Sequence, residues 1–526
     1  MVKIEEKTYQ ELLEDRREKA ELADKLLLAQ AEIQWYREQL GLAKSRLYAP
    51  SSEQMLTGQD SLFNEAEALA DPIAPEPECQ TLPKAKRSKQ SGQREMQLEN
   101  LPVEEIEYTL PQEERVCPQC EGSLHEMGHD ERREVKVIPA EFILVVHKRA
   151  KYACRNCNRN EIHTPILTAP APETAFPNSL ASPSCVAYIM NRKFVEGTPL
   201  YRQEASLLRS GFAVSRQTMA NWMLSAASWL ERIYGRMHTL LLTRDIGHGD
   251  ETTLQVLKED GRAAQTNSYM WLYHSGRDGP PIVLFEYQTT RASAHPRTFL
   301  TGFTGYLHVD GYGGYDGLPG VILVGCWAHA RRKFVEALKV IAPAARKEGA
   351  IAAAGLAFCD QLFAIERDLH EVTPEERKAG REARSKLLLE EFRIWLDAYA
   401  GTVLPKSALG GAIRYCLNQW SKLTAFLLDG RLEIDNNRSE RAIKPFVIGR
   451  KNWLFSNTPR GATASAVIYS IVETAKENGV DPQAYLTYLF EQLPNIALKG
   501  PAAVDDLLPW AEPVQGHCRV PSHSGG

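Results

Sequence analysis

The chain has 526 residues, 43% of them hydrophobic and 25% charged, the balance of a soluble globular protein and not of a disordered or fibrous one. At about 150 residues per domain, three or four units are expected. The formal charge of −5 excludes a uniformly basic nucleic-acid binder, so any such contact falls to local patches.

Residues 1–55 read as one helix. Leu26, Ile33, Leu40 and Leu47 recur every seven residues, with Ala29, Tyr36 and Ala43 between them, the seam of a two-stranded coiled coil. The same stripe also suits a helix packed on its own domain. The opening Met1-Val2-Lys3-Ile4-Glu5-Glu6-Lys7 has no apolar signal stretch, and no run approaches about 18 apolar residues. We therefore expect a cytoplasmic protein with no membrane partner. Residues 56–100 lose periodicity and gain Pro, Ser and charge, which makes them a flexible linker.

Between 101 and 168, Cys117-Pro118-Gln119-Cys120 and Cys154-Arg155-Asn156-Cys157 form two knuckles 33 residues apart. Each knuckle offers two thiolates, and together they complete the four-sulfur shell of a structural zinc ion. A strand expected over 134–146 lies between them. A redox pair or unligated cysteines are the other readings. Residues 180–240 are helical in pattern. A helix from Thr198 breaks at Ser210-Gly211, and a second begins with Arg216-Gln217-Thr218-Met219-Ala220-Asn221. Arg216, Gln217 and Asn221 are side chains able to read base edges in a major groove, so this is a helix-turn-helix candidate. A plain helical hairpin makes the same pattern.

An α/β region begins near 244. Strands are expected over 244–257, 268–274, 281–287, 305–310 and 321–325, with a helix over 294–300 and an almost wholly helical block over 328–428. Asp250 lies on the first strand and Asp310 ends the fourth, before Gly311 and Gly313-Gly314. A third carboxylate, Glu440, follows a helix start at Asp435-Asn436-Asn437, where residues 431–460 hold seven basic and three acidic side chains. Arg438, Arg441, Lys444, Arg450 and Lys451 are the phosphate-contact candidates there. Two strand carboxylates and one helix carboxylate suit two magnesium or manganese ions about 4 Å apart at a phosphodiester. Read singly, a strand-end Asp-Gly is also an ordinary turn, and Asp-Asn-Asn an ordinary helix cap.

Taken together, His308-Val309-Asp310-Gly311-Tyr312-Gly313-Gly314-Tyr315, Gly325-Cys326-Trp327-Ala328-His329-Ala330-Arg331-Arg332-Lys333-Phe334, and Ile434-Asp435-Asn436-Asn437-Arg438-Ser439-Glu440-Arg441-Ala442-Ile443-Lys444-Pro445 resemble the insertion-sequence 66 family of bacterial transposases. The resemblance extends to the zipper, the knuckles and a C-terminal element at 460–500. It implies a multidomain α/β protein with a ribonuclease H-like catalytic core over 244–475 and a helical insertion at about 335–430. The Pro/Gly-rich stretch at 501–526 reads by its composition as a loose tail. The resemblance further implies a catalytic triad of Asp250, Asp310 and Glu440, and a Cys-x-x-His signature in which His329 orients the scissile phosphate or a flipped base. The implied activity is metal-dependent cleavage and strand transfer of double-stranded DNA at element termini and target. A homodimer or higher oligomer on DNA, aided by accessory proteins of the same element, is the implied assembly. The rival readings are a DNA-binding regulator or domesticated transposase without activity, and a structure-selective nuclease of the same fold.

Overall fold

The computed structural model describes residues 140–153, 166–340, 350–496 and 502–520, together with Lys19. The expected coiled coil, the linker and all four knuckle cysteines lie outside these residues. The chain divides into two units, the smaller holding 73–172 and 201–215 and the larger 173–200 and 216–518; each is described by itself. In the smaller, β1 (Lys151–Ala153) and β2 (Ile166–Thr168) pair antiparallel, with Lys151 opposite Thr168. Residues 140–146, read from sequence as the end of a strand, form none, and Ile143, Leu144, Val145 and Val146 are exposed. Among the described residues of this unit, ladder pairing begins at Lys151, because a strand needs a partner as well as a β-prone sequence.

Helix α1 (Pro183–Phe194) belongs to the larger unit. Helix α2 (Leu200–Arg209) lies almost wholly in the smaller. It stops where the sequence places the break: Gly211 has φ +83°, Gly211 N–H bonds Leu208 O and Phe212 N–H bonds Leu207 O, a Schellman closure that favours glycine. The second expected helix, α3 (Arg216–Leu241), runs for 26 residues. Its Trp222, Met223, Leu230, Ile233 and Met237 are buried, and Arg216, Gln217 and Asn221 are exposed at its start.

The sheet of the larger unit has β3 (Ile246–Gln255), β4 (Asn267–Ser275) and β5 (Val283–Gln288) antiparallel. Helix α4 (Ala294–Phe299) then leads to β6 (Gly305–Val309) and β7 (Val321–Gly325), which continue the sheet in parallel with β3. The strand order is β5-β4-β3-β6-β7. Strand β4, Asn-Ser-Tyr-Met-Trp-Leu-Tyr-His-Ser, is buried along almost its whole length, as the β-prone run Tyr269–Tyr273 requires when both faces are covered.

Helix α5 (Trp327–Lys339) follows β7 after one residue, Cys326. The helical block comprises α6 (Ile351–Asp368), α7 (Pro374–Gly380), α8 (Lys386–Ala400), α9 (Ala408–Asn418) and α10 (Trp420–Thr424). Its core is continuous with the sheet: Phe334, Leu362, Phe392, Ile413 and Phe426 pack in one cluster with Val324, Trp327, Leu432 and Ile434. Trp327 Nε1 donates to Leu423 O at 2.7 Å. Buried Arg381, in the turn between α7 and α8, grips Glu366 through Nε and Nη2 and donates to the carbonyls of Phe426, Asp429 and Leu432. The block is thereby anchored to the segment that starts the next helix, α11 (Asn437–Trp453).

Helices α12 (Pro459–Glu477) and α13 (Pro482–Gln492) begin as α1 does, with a capping side chain followed by proline: Ser182, Thr458 and Asp481 accept from Cys185, Gly461 and Ala484 N–H. Such starts satisfy an orphan donor and preset φ. Helix α12 covers the sheet edge. Ser470 Oγ accepts from Phe285 N–H, and Thr474 Oγ1 accepts from Val283 N–H and donates to Val283 O. Hydroxyls thus complete the open ladder of β5, which removes an edge prone to pairing with another chain. Residues 502–518 differ from the loose tail expected of them. Two short helices, α14 (Ala502–Asp505) and α15 (Glu512–Cys518), bury Leu507, Leu508, Val514 and Cys518. Arg236 grips Asp505 at 2.6 and 2.9 Å. The Pro/Gly content of this segment hid an apolar set spaced to cover α13.

Candidate active site

Strand β3 runs parallel to β6 in a register that pairs His248 with His308. Side chains two apart on a strand share a face, so Asp250, midway along β3, and Asp310, just past the end of β6, each two residues beyond its histidine, lie side by side on adjacent strands. Glu440 is in the first turn of α11. Asp310 Oδ1 accepts Tyr312 N–H at 2.8 Å, and Asp250 Oδ1 accepts Glu251 N–H at 2.8 Å. Burial pushes the Asp250 carboxyl well above the usual carboxylate range, and the charges of Glu251, Asp310 and Glu440 push it further, against the backbone bond that lowers it. Three carboxylates that repel one another are a site short of positive charge.

The layer beneath them supplies none. His248, His274 and His308 form a row across β3, β4 and β6, each buried to 1% exposure. The His248 and His308 rings stack at 4.3 Å. Burial holds His248 well below the ordinary histidine value and brings His274 and His308 down to about 4. The row is therefore uncharged at neutral pH, and a cation for the acids must come from solution. The sequence carried a sign of this row in the repeated His-x-Asp of 248–250 and 308–310, which the reading of single motifs missed.

Asn436 stands at the helix cap but makes no side-chain capping bond. It is instead buried, its Nδ2 donating to Gly249 O at 2.9 Å and its Oδ1 accepting from His248 Nδ1 at 3.0 Å. These bonds fasten the start of α11 to the strand that bears Asp250. Gly249 itself admits the Tyr315 ring: a Cβ there would stand 3.0 Å from that ring. Tyr315 OH donates to Glu251 Oε2 at 3.0 Å and Arg291 Nε donates to Glu251 Oε1 at 2.7 Å, so Glu251 is engaged by two partners. Burial nonetheless raises its carboxyl above the usual value, against the lowering by Arg291.

His329, on the first turn of α5, has Nδ1 at 3.6 Å from Glu440 Oε1, and Arg332 Nη2 is 3.5 Å from Glu440 Oε2. Burial lowers the imidazole, Glu440 raises it and Arg332 lowers it, for a net fall. Among the described residues His329 Nδ1 and Glu440 Oε1 have no hydrogen-bond partner. Each such atom costs about 1–3 kcal/mol when left so, which fits a carboxylate oxygen facing a cation. Cys326 Sγ accepts Asn436 N–H at 3.2 Å, and burial pushes its thiol up to about 12.

The basic candidates separate into two groups. Arg438 turns inward, its Nη2 2.8 Å from Glu433 Oε1. Arg450 donates to Thr253 O and to Thr252 Oγ1 on β3. Both were read as phosphate contacts, yet both are held by protein partners that local sequence cannot reveal. Arg441 and Lys451 are exposed and Lys444 is half-buried. Glu433 is clamped between Arg277 and Arg438. Burial raises its carboxyl, but the two arginines outweigh this and its value is lowered.

Residues 178–464 match the family model described as "Transposase IS66 family". The chain belongs to this family. Three further IS66 models cover more of it: the zinc-finger binding domain of transposase IS66 at 114–158, the IS66 C-terminal element at 470–510, and "Transposase C of IS166 homeodomain" at 35–106. Similar proteins occur in Sinorhizobium fredii (strain NBRC 101917 / NGR234). Uncharacterized protein y4qI is 33% identical over 426 residues, 78% of this chain and 76% of that protein. Uncharacterized protein y4hP is 30% identical over 413 residues, 75% and 73% of the two chains. Among the described residues no helix is long and apolar enough to cross a membrane.

Proposed function

We propose that this IS66-family chain is an active DNA transposase whose catalytic acids are Asp250, Asp310 and Glu440. We also read the mixed sheet, with two of these acids on adjacent strands, as the ribonuclease H-like core that the family resemblance implies. The observation that carries the proposal is the convergence of two strand carboxylates and one helix carboxylate beside an uncharged histidine row, with the Asp250 carboxyl pushed up first by burial and then by the charges of Glu251, Asp310 and Glu440. An oxygen donor set with a surplus of negative charge fits magnesium or manganese. Bound there, such ions supply Lewis acidity to the phosphodiester and lower the pKa of water.

The protein's own groups position the reactants. Asp250 and Asp310 face the reacting phosphate, Asn436 holds Glu440 at a fixed distance from β3, and His329 and Arg332 flank Glu440 where the phosphate oxygens stand. Arg441, Lys444 and Lys451 line the approach for backbone phosphates, whose contacts position DNA without reading sequence. Arg216, Gln217 and Asn221, exposed at the start of α3, are the candidates for reading the terminal repeats. Zinc at Cys117, Cys120, Cys154 and Cys157, and dimerisation through residues 1–55, complete the proposed assembly.

The test is a cleavage and strand-transfer assay on the terminal DNA of the element. Asp310→Asn keeps shape but removes a charge, and should lower cleavage at least about a hundredfold while leaving DNA binding intact. Wild-type rates in the variant would refute the site. Strand-transfer products separate a transposase from a structure-selective nuclease.

A further inference from the structure

Three donor atoms of different chemistry meet beside the oxygen-only acids. Cys326 is the single residue between β7 and α5, and it is fully buried. His329 is one turn into α5 and Glu440 one turn into α11. Cys326 Sγ, a ring nitrogen of His329 and a carboxylate oxygen of Glu440 all lie within 4.8 Å of one another. The 3.6 Å between His329 Nδ1 and Glu440 Oε1 is too long for a hydrogen bond. It matches the roughly 3.4 Å between two ligands that stand about 2.1 Å from a tetrahedral ion. Neither atom has another partner among the described residues. The N–H of Asn436 on Cys326 Sγ, at 3.2 Å, is the kind of bond that supports a ligand thiolate.

Sulfur, imidazole and carboxylate together select zinc, cobalt or cadmium and not magnesium, which takes oxygen alone. We propose that Cys326, His329 and Glu440 form a site for a borderline-soft divalent cation such as zinc. Resting on the reading of Glu440 as a catalytic acid, we propose further that occupancy withdraws this carboxylate and inhibits the magnesium-dependent reaction. Binding converts the Cys326 thiol to a thiolate, its proton passing to solvent, with no redox change. Water completes the shell from the side where His329 and Glu440 are partly exposed.

The probe is cobalt(II), added to the full chain with its knuckles already loaded with zinc. The wild type should take up one further equivalent, with a thiolate-to-cobalt absorption of one-sulfur intensity. Cys326→Ser should lose that band, and His329→Ala, nearer the surface, should weaken uptake at least tenfold. Near-ultraviolet circular dichroism checks the fold of both. Cobalt exchanging into the knuckles would give a four-sulfur band that persists in Cys326→Ser. Identical uptake by the wild type and both variants overturns the site, whether or not the protein cleaves DNA. In the cleavage assay, zinc at fixed magnesium should half-inhibit the wild type at a concentration at least tenfold lower than Cys326→Ser, each measured against its own zinc-free rate. Equal sensitivity overturns the inhibitory role and leaves the catalytic assignment of Glu440 untouched.

Discussion

Asp250, on β3, and Glu433, in the segment before α11, are both half-buried carboxylates, and their surroundings drive them in opposite directions. Asp250 is raised first by burial and then by its acidic neighbours, so the folded protein holds this proton more tightly than the unfolded chain. Its contribution favours folding below the unfolded value of 3.8 and is lost as pH rises through the raised folded value. At neutral pH without divalent ions, Asp250→Asn should therefore melt above wild type, by about 2–4 °C for each kcal/mol of strain relieved. Magnesium should raise the wild-type melting temperature more than that of the variant. A melting curve unchanged by the substitution and by magnesium would contradict the charge-deficient site. Glu433 has arginines for neighbours and a lowered value, so its contribution is present above 4.5 and lost as pH falls through the folded value. Glu433→Gln should be destabilised at neutral pH, with the difference closing in acid. Its cleavage should fall less than about tenfold, or roughly 1.4 kcal/mol of barrier, whereas Glu440→Gln should abolish cleavage and strand transfer. The reverse ranking, in folded and DNA-binding protein, would move the site to the other glutamate.

The helix that carries Glu440 is only as well placed as the segment in front of it. Residues 429–436 are held from three sides: Arg381 takes the carbonyls of Asp429 and Leu432, His308 accepts Glu433 N–H, and Trp327 N–H donates to Ile434 O. Arg381 makes five such bonds while 1% exposed. Arg381→Met leaves the Glu366 carboxylate and three carbonyls without their donor, and a buried ion pair broken on one side costs about 3–5 kcal/mol. Chemical denaturation should register a loss of that size, and cleavage should fall with it although Arg381 is remote from the acids. A helical block that served only as a spacer would lose stability without moving the rate of the folded fraction.

Across the chain, the expected zinc module and the candidate catalytic acids fall in separate stretches of sequence. Cys154→Ser should lose about one zinc per chain while the melting transition of the 244–475 region persists. Zinc near zero in unchelated wild-type protein would remove the ribbon. Local pattern was enough for the strands at 246–255, 267–275, 283–288, 305–309 and 321–325, because alternation and turn residues act within a few positions. It also sufficed to place Asp250 on a strand, Asp310 at a strand end and the break at Gly211. Where side chains of polar residues point was another matter. Asn436 bonds a carbonyl 187 residues away, Arg450 reaches a strand 197 residues away, and Arg438 closes on a glutamate that a second arginine, 156 residues distant from it, also holds. The packing of 502–518 depends in the same way on surfaces formed elsewhere in the chain. Such choices follow from which groups meet once the sheet and helices have assembled, since a buried polar atom takes whatever partner the assembled core brings to it.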